Sequence, residues 1–195
     1  MKVIIATGNR HKVAELSELF APYNNKGYEF VSMRDAGFTG DIVEDADTFE
    51  GNALIKARMV CEATGCIAIA DDSGLCVDAL DGKPGVFSAR YAGELADDGR
   101  NNAKLLAELR DVPEEKRTAR FCCVIAAALP DGKTVVAQGE CEGRIGFEKK
   151  GDGDFGYDPL FFSAELGKSF GVASFDEKNS VSHRARAFKQ LSEKL

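Results

Sequence analysis

The sequence feature that most constrains the fold is an unbroken apolar run, Cys-Ile-Ala-Ile-Ala at residues 66–70, followed directly by Asp71 and Asp72. Such a run is typical of a strand that is covered on both faces, because a strand with one wet face alternates apolar and polar residues. Covering both faces requires helices on each side of a sheet. We therefore predict an α/β protein in which the two aspartates stand immediately after a central strand that ends at Ala70.

Periodicity and turn residues predict the other elements. A short strand at residues 2–6 precedes a helix that has Val13, Leu16 and Phe20 on one face, and Thr48 or Asp47 caps a second helix that stops at Gly65. Further helices are predicted at about 98–110 and 180–195, with a β-hairpin of residues 121–129 and 134–137 around Pro130-Asp131-Gly132. Since the sequence contains neither a repeat nor a low-complexity linker, we predict one domain, residues 1–195, with two lobes around a cleft.

Composition excludes several classes of protein. The 195 residues are 44% hydrophobic and 29% charged, which is ordinary for a globular protein. The apolar runs are shorter than the ~18 residues of a membrane helix, and the opening run ends too soon for a signal peptide. The six cysteines form no C-x-x-C pair, so we expect buried, reduced thiols in a cytoplasmic protein.

The charge balance limits the possible partners. With 25 basic and 32 acidic residues, the net charge of −7 repels polyanions, and we expect no binding to nucleic acid. The composition and the short apolar runs predict that a membrane is not a partner either. A small anion can still bind where a few cations and backbone amides converge. An acidic surplus also suits a divalent cation.

The turn between the first strand and helix is a candidate anion site. It contains Thr7, Gly8, Asn9, Arg10, His11 and Lys12. Free amides at a helix start attract anions, glycine permits close approach, and the lysine adds a full positive charge. The alternative is an ordinary strand-to-helix turn.

Asp71, Asp72 and Ser73 form a second candidate site, because ligand sites in α/β sheets gather at the carboxyl ends of strands. Adjacent strand residues point in opposite directions, so only one of the two carboxylates can face a given ligand. Carboxylates in such places commonly hold Mg²⁺ against phosphate oxygens, and Glu44, Asp45 or Asp47, which precede the second helix, can supply a further ligand. The alternatives are a solvated turn and, for the three acids, capping of a helix start.

The stretch Gly151–Gly156 satisfies G-x-G-x-x-G, but a dinucleotide fingerprint must open a helix and Pro159 opposes one. We interpret it as a loop that folds closely over a ligand and then enters a strand. Phe155 or Tyr157 can stack on a planar base, and the alternative is that both rings belong to the core.

Near the C-terminus, Lys178, His183 and Arg184 form a cluster of hydrogen-bond donors. These side chains suit a carbonyl oxygen on a base, whereas an amino group there would place donor against donor. A histidine near a helix start is alternatively a cap.

Seven segments, taken together and in order, resemble the inosine/xanthosine triphosphate pyrophosphatase family over nearly the whole chain. They are ATGNRHKVAEL, NALIKAR, ADDSGLCVDAL, GKPGVFSARYAG, RTARFCCV, FGYDPLFF and EKNSVSHRARA. The resemblance implies a mixed α/β fold with an elongated central sheet, flanking helices and two lobes, and typically a homodimer. It also implies hydrolysis of non-standard purine nucleotides (ITP, dITP, XTP) to the monophosphate and pyrophosphate.

The resemblance also implies roles for individual residues. Residues 7–12 match the triphosphate-binding turn, Asp72 the general base and Mg²⁺ ligand, Glu44 a further metal-side acid, and Ser73 a substrate contact. Phe155, Gly156, Tyr157 and Asp158 match the base-binding loop, with Lys178, His183 and Arg184 closing over the purine.

One position departs from the family pattern. The family often has Glu immediately before Asn52, where this chain has Gly51, and its Glu50 lies ~100° away around the helix. Glu44 is therefore the better candidate for the metal. Two other functions remain open: a Maf-like pyrophosphatase for pyrimidine or modified nucleotides, and a nucleotide-binding module without turnover.

Overall fold

The computed structural model describes residues 1–24, 27–93, 97–151 and 155–194. The strands are β1 (Lys2–Ile5), β2 (Glu29–Ser32), β3 (Ile67–Val77), β4 (Thr118–Ala128), β5 (Thr134–Ile145) and β6 (Phe161–Ser163). The helices are α1 (Arg10–Asn24), α2 (Phe49–Thr64), α3 (Asp98–Glu108), α4 (Phe175–Val181) and α5 (His183–Ser192).

The strands form one sheet in the order β2-β1-β3-β4-β5-β6. Strand β1 pairs in parallel with β2 and β3, whereas β6 pairs antiparallel with β5. The sheet is therefore mixed, and the predicted α/β class with a mixed sheet and flanking helices is confirmed.

The local signals in the sequence act as predicted at several boundaries. The Thr48 side chain accepts a hydrogen bond from the Gly51 amide and caps α2, and Gly65 ends the helix at a φ of 65°. The predicted hairpin forms around Pro130-Asp131-Gly132, although both of its strands are longer than predicted. All six cysteines are free thiols.

Two predicted boundaries are wrong. Strand β3 does not end at Ala70 but continues to Val77, so Asp71 and Asp72 lie within the strand. The predicted last helix is two helices, because Ser182 adopts extended backbone angles of −67° and 150° between α4 and α5. Residues 152–154 of the predicted loop and Leu195 of the predicted helix lie outside the described residues.

The chain divides into two compact units, of which unit 1 is residues 1–72, 123–139 and 184–195. Both faces of its central strands are covered, as the apolar run predicted. Ile69 packs with Leu16 of α1 and Phe188 of α5, whereas Ala68 packs with Ala57 of α2 on the other face.

Unit 2 is residues 73–122 and 140–183. Its core is built around Phe121 and Phe161, whose rings lie 4.6 Å apart. Arg117 is buried beside this core and donates to the carbonyl oxygens of Leu109, Val112 and Gly146, so the guanidinium satisfies backbone acceptors that follow α3 and β5. Within the part of the chain that the structure describes, the helices are too short or too polar to cross a membrane.

Candidate active site

The predicted anion-binding turn leads from β1 into α1 in unit 1. Asn9 caps the helix, because its Oδ1 accepts from the His11 amide at 2.9 Å and from the Lys12 amide at 3.2 Å. Thr7 is buried, and its hydroxyl accepts from the Asn9 amide at 3.2 Å. Gly8, Asn9, Arg10 and His11 are exposed, so the turn presents its backbone to solvent at the start of a helix.

Asp71 lies at the centre of a buried cluster of charges. Its Oδ2 is 3.0 Å from Lys12 Nζ, 3.3 Å from Arg184 Nε and 3.1 Å from Arg184 Nη2. Arg184 also donates to the carboxylate of Glu15 on α1. Burial alone would raise the pKa of Asp71, but the charges of Lys12 and Arg184 outweigh it and hold the pKa well below its usual range. Asp71 is therefore an ionised anchor for two cations.

Asp72 points into a different environment, as the alternation along a strand predicted. Its Oδ2 accepts from Asn52 Nδ2 at 3.3 Å and its Oδ1 from Lys56 Nζ at 3.2 Å. The same Lys56 Nζ is 2.5 Å from Glu44 Oε2. Burial raises the pKa of Asp72, and the nearby Lys56 and Lys12 charges reduce this effect without reversing it.

Sequence analysis did not assign a role to Asn52 and Lys56. Both are buried, and they are four residues apart, which places them on one face of α2. Two polar residues at this spacing on an otherwise apolar face were the available signal. They lie in the NALIKAR segment, which was used only for the resemblance.

Glu44 and Asp72 suit a hard divalent cation. Both carboxylates contact the same ammonium group, so their oxygens converge on one small region. No cluster of three or more potential metal ligands occurs among the described residues. Two carboxylates are nevertheless what Mg²⁺ commonly takes from a protein when phosphates and water complete its shell. Glu50 is exposed.

Gly51 lets the segment that carries Glu44 approach α2 closely. A Cβ atom on Gly51 would lie 2.5 Å from the Cβ of Ala46. The Ala46 amide in turn donates to Asn52 Oδ1 at 3.0 Å. The departure from the family pattern at Gly51 thus has a steric reason in this chain.

The predicted base-binding loop lies in unit 2. Lys178 Nζ is 2.5 Å from Asp158 Oδ2 and lies 4.9 Å from the centre of the Phe155 ring. The Tyr157 ring is 4% exposed and belongs to the core, and its hydroxyl donates to the Ser88 carbonyl at 2.8 Å. Phe155 is half-buried. Of the two rings considered for stacking, Tyr157 anchors the loop in the core.

The remaining predicted residues are divided between the two units. His183 is buried in unit 2 and stacks on Phe121 with ring centres 4.9 Å apart. Arg184 belongs to unit 1 with Asp71, so the described partners of Lys178 and Arg184 differ. Ser73 is half-buried on β3.

These features define an α/β protein whose helix-start turn and strand carboxylates are suited to a phosphate group and a cation. The profile of the Ham1 family matches residues 3–194, and the chain belongs to this family. A dITP/XTP pyrophosphatase of Desulforamulus reducens is 53% identical over 100% of this chain and 96% of its own length. One from Nitratidesulfovibrio vulgaris is 50% identical, over 98% and 94%.

Solved structures support the same family and fold. The structure of a HAM1 protein from Coxiella burnetii superposes with a TM-score of 0.88 at 37% identity, covering 99% of this chain and 97% of that one. The family resemblance predicted from the seven segments is confirmed.

Proposed function

We propose that the protein hydrolyses purine nucleoside triphosphates with a 6-oxo group, namely ITP, dITP and XTP, to the monophosphate and pyrophosphate. It would thereby keep these nucleotides out of DNA and RNA. The observation that carries the proposal is the Asp72 carboxylate, buried with a raised pKa between Asn52 and Lys56. The names of the relatives support the substrate class.

The triphosphate is assigned to the turn of residues 7–12 and to Lys12. The Lys12 side chain is 15% exposed, and Asp71 fixes the position of its ammonium group. A cation already held in place loses little conformational entropy when an anion binds. Arg10 and His11 are exposed beside it and add donors at the same turn.

Asp72 is assigned as the general base. Its carboxylate orients a water molecule and takes one of its protons while the water oxygen bonds to phosphorus, the anhydride bond between the α- and β-phosphates breaks, and the monophosphate and pyrophosphate separate. A raised pKa lies closer to pH 7, and a general base is most effective when its pKa is near the working pH. Asn52 holds the carboxylate from one side, and the Lys56 charge stabilises negative charge that develops nearby.

Glu44 and Asp72 would hold Mg²⁺. The ion supplies electrostatic stabilisation of phosphate oxygens when it is bound. Lys56 contacts both carboxylates and keeps them close together.

The base is assigned to the loop of residues 155–158 with Lys178, His183 and Arg184, and Ser73 is assigned as a further substrate contact. Stacking on Phe155 contributes ~1–3 kcal/mol and is tolerant of base identity. Selectivity must therefore come from donors such as Lys178 and Arg184, which match a 6-oxo group. The 6-amino group of ATP would leave unpaired donors at ~1–3 kcal/mol each, or about tenfold to hundredfold per contact.

A panel of nucleoside triphosphates assayed for pyrophosphate release tests the proposal, with Asp72→Asn as the inactive control. We expect ITP, dITP and XTP to be cleaved far faster than ATP. Preference for a pyrimidine nucleotide would indicate the Maf-like alternative, and binding without release would indicate a binding module. Release of orthophosphate and the diphosphate would show that the assigned bond is wrong.

We further propose that residues 1–195 act as one catalytic domain, in a cytoplasmic homodimer. The family resemblance supports this arrangement, and so do the Phe87 and Phe147 rings, which are 52% and 58% exposed. Light scattering coupled to size-exclusion chromatography should give about twice the chain mass of 21.0 kDa. A monomer at working concentrations would contradict the dimer and leave the assigned reaction standing.

A further inference from the structure

We propose that Asp98 and Asn102, at the start of α3, are positioning residues that fix the backbone of Gly156 and thereby set the orientation of the base-binding loop. The proposal rests on the assignment of residues 155–158 to the base. Neither residue belongs to the seven segments that carry the resemblance, and neither is assigned a contact with the substrate.

Both backbone groups of Gly156 are bound by this helix. The Gly156 amide donates to Asp98 Oδ2 at 2.8 Å, and the Gly156 carbonyl accepts from Asn102 Nδ2 at 2.8 Å. The same Asn102 nitrogen donates to the Asp98 carbonyl at 2.7 Å, one turn earlier in the helix. Two residues more than 50 positions away in the sequence therefore hold a single glycine by its donor and its acceptor.

The conformation of Gly156 explains why it needs such support. Its φ is +56°, in the left-handed region, although a Cβ atom there would meet nothing within 4 Å. Glycine is thus required by backbone geometry and not by lack of space. A glycine loses more conformational freedom than any other residue when it is fixed. The two hydrogen bonds from α3 stabilise one backbone conformation of Gly156 against this cost.

The orientation of the Asn102 amide follows from its partners. Both of them are carbonyl oxygens, so the nitrogen must face them. Its Oδ1 is buried and has no hydrogen-bond partner within residues 1–24, 27–93, 97–151 and 155–194. Burying an acceptor in this way costs free energy. The two hydrogen bonds that the Asn102 nitrogen donates to backbone carbonyl oxygens offset this cost and explain why asparagine occupies the position.

Gly156 lies between two rings with different surroundings. Tyr157 is anchored in the core and donates to Ser88. Phe155 is half-buried with the Lys178 ammonium near its face. The peptide geometry at Gly156 therefore determines where the Phe155 ring lies relative to an anchored neighbour. A stacking contact depends on ring geometry, so loosening Gly156 should weaken binding of the base and spare the phosphate contacts.

A matched pair of variants at Asp98 isolates the hydrogen bond. Asp98→Ala and Asp98→Asn both remove the charge near the start of α3, but only Asp98→Asn keeps an oxygen that can accept from the Gly156 amide. Asp98 is half-buried at a helix end, so both variants should fold. Asn102→Asp is the second probe, since its carboxylate would face the carbonyl oxygens of Asp98 and Gly156 and cannot donate a hydrogen bond to either.

The readouts are the dissociation constants of the two products, measured separately by calorimetry. For Asp98→Ala and Asn102→Asp we expect IMP to bind about tenfold more weakly and pyrophosphate to bind with unchanged affinity, with KM for ITP rising and kcat within about twofold of wild type. Asp98→Asn should restore most of the IMP affinity. A purely structural role would weaken both products together.

Two results would overturn the inference: Asp98→Ala binding IMP as tightly as Asp98→Asn, or IMP and pyrophosphate affinities falling by the same factor. Measurements on the wild-type protein distinguish failure of this inference from failure of the proposed function. If the wild type neither binds IMP nor cleaves ITP, the assigned substrate is wrong, whereas unaltered base affinity in an active Asp98→Ala variant rejects the positioning role alone.

Discussion

Asp71 and Asp72 are adjacent on β3, and the pKa values of their carboxylates are shifted in opposite directions. Lys12 and Arg184 both contact Asp71 and hold its pKa down. Burial raises the pKa of Asp72, and the nearby Glu44 carboxylate adds to this effect, so that the charges of Lys56 and Lys12 do not reverse it. Asp71 is therefore held ionised, and in the proposed mechanism Asp72 is the carboxylate that accepts a proton.

Asp72→Asn should abolish turnover and spare binding. The amide cannot take the proton of the attacking water, so kcat should fall by about 10²–10⁴. The phosphate contacts proposed for Lys12 do not depend on Asp72, so the dissociation constant of ITP should change by less than about threefold. Pyrophosphate release and calorimetry measure the two quantities. Retained activity would transfer the role of base to another residue.

Asp71→Asn should act mainly on stability. Removing one partner of a buried ion pair typically costs about 3–5 kcal/mol, because the remaining charges lose compensation. Arg184 and Lys12 both contact the lost carboxylate, although Arg184 keeps Glu15. Urea denaturation should show the loss as a lower midpoint with an unchanged slope. A change below about 1 kcal/mol would mean that Asp71 is not the anchor of this cluster.

Gly51→Ala should weaken the response to Mg²⁺. The added methyl group would meet Ala46 at 2.5 Å and displace the segment that carries Glu44. We expect the Mg²⁺ concentration for half-maximal activity to rise about tenfold, which corresponds to the ~1.4 kcal/mol of one weakened ligand. Gly99→Ala is the matched control, because Gly99 also lies in the first turn of a helix and meets only an Asp97 side-chain oxygen, at 3.1 Å. Equal responses in the two variants would contradict the steric argument.

At the scale of elements, helix α4 carries Lys178 and begins with a capping box. Ser174 and Glu177 each bind the other's amide, and Lys168 Nζ lies 2.6 Å from Glu177 Oε1. The hydrogen bond from Lys168 is the first cause that lowers the pKa of Glu177 to about 2, followed by the bond from the Ser174 amide.

A lowered pKa means that the ionised form of Glu177 favours the folded state. Its contribution is complete above the ordinary carboxyl pKa near 4.5 and is lost as the pH falls towards about 2. Glu177→Gln should therefore have a lower Tm than the wild type at pH 7. This difference in Tm should become smaller as the pH falls from about 4.5 to about 2. Calorimetric scans across this range measure the difference. A constant difference would show that the cap does not depend on the charge.

Boundaries that depend on neighbouring residues were predicted correctly, and those that depend on distant residues were not. Thr48 and Gly65 delimit α2 as predicted, because capping involves only neighbouring residues. Strand β3 was predicted to stop at Ala70, where the apolar run ends. Two aspartates are unusual inside a buried strand. What allows them there is compensation from Lys12, Arg184 and Lys56, which come from distant parts of the chain.

The candidate site was predictable to a similar extent. Lys12 and Asp72 stand in segments with a chemical signature of their own, and the structure surrounds both with charged partners. Asn52 and Lys56 on one face of α2 were missed, since a polar pair on a helix gains meaning only when its partner is known. The break at Ser182 was also missed, because Val181 lies four residues before Ala185 and so fits the apolar spacing of the helix that follows.

At the scale of the whole molecule, the net charge of −7 should prevent binding to DNA. The cations Lys12 and Lys56 are already bound to carboxylates, so they add little to a long-range attraction. A fluorescent 20-base-pair duplex should show no change in anisotropy at about 10 μM protein and 150 mM salt, a concentration range in which non-specific binders often respond. Saturable binding there would reveal a basic surface that the net charge conceals.

The chain crosses between its two compact units four times, at 72–73, 122–123, 139–140 and 183–184. Neither unit is therefore a contiguous stretch of the gene. A single recombination event cannot exchange one unit between relatives and leave the other behind, and one peptide bond cut by a protease releases neither. The turn of residues 7–12, assigned to the phosphates, and the loop of residues 155–158, assigned to the base, are consequently inherited together, and new substrate preferences must arise by point substitution in the whole chain.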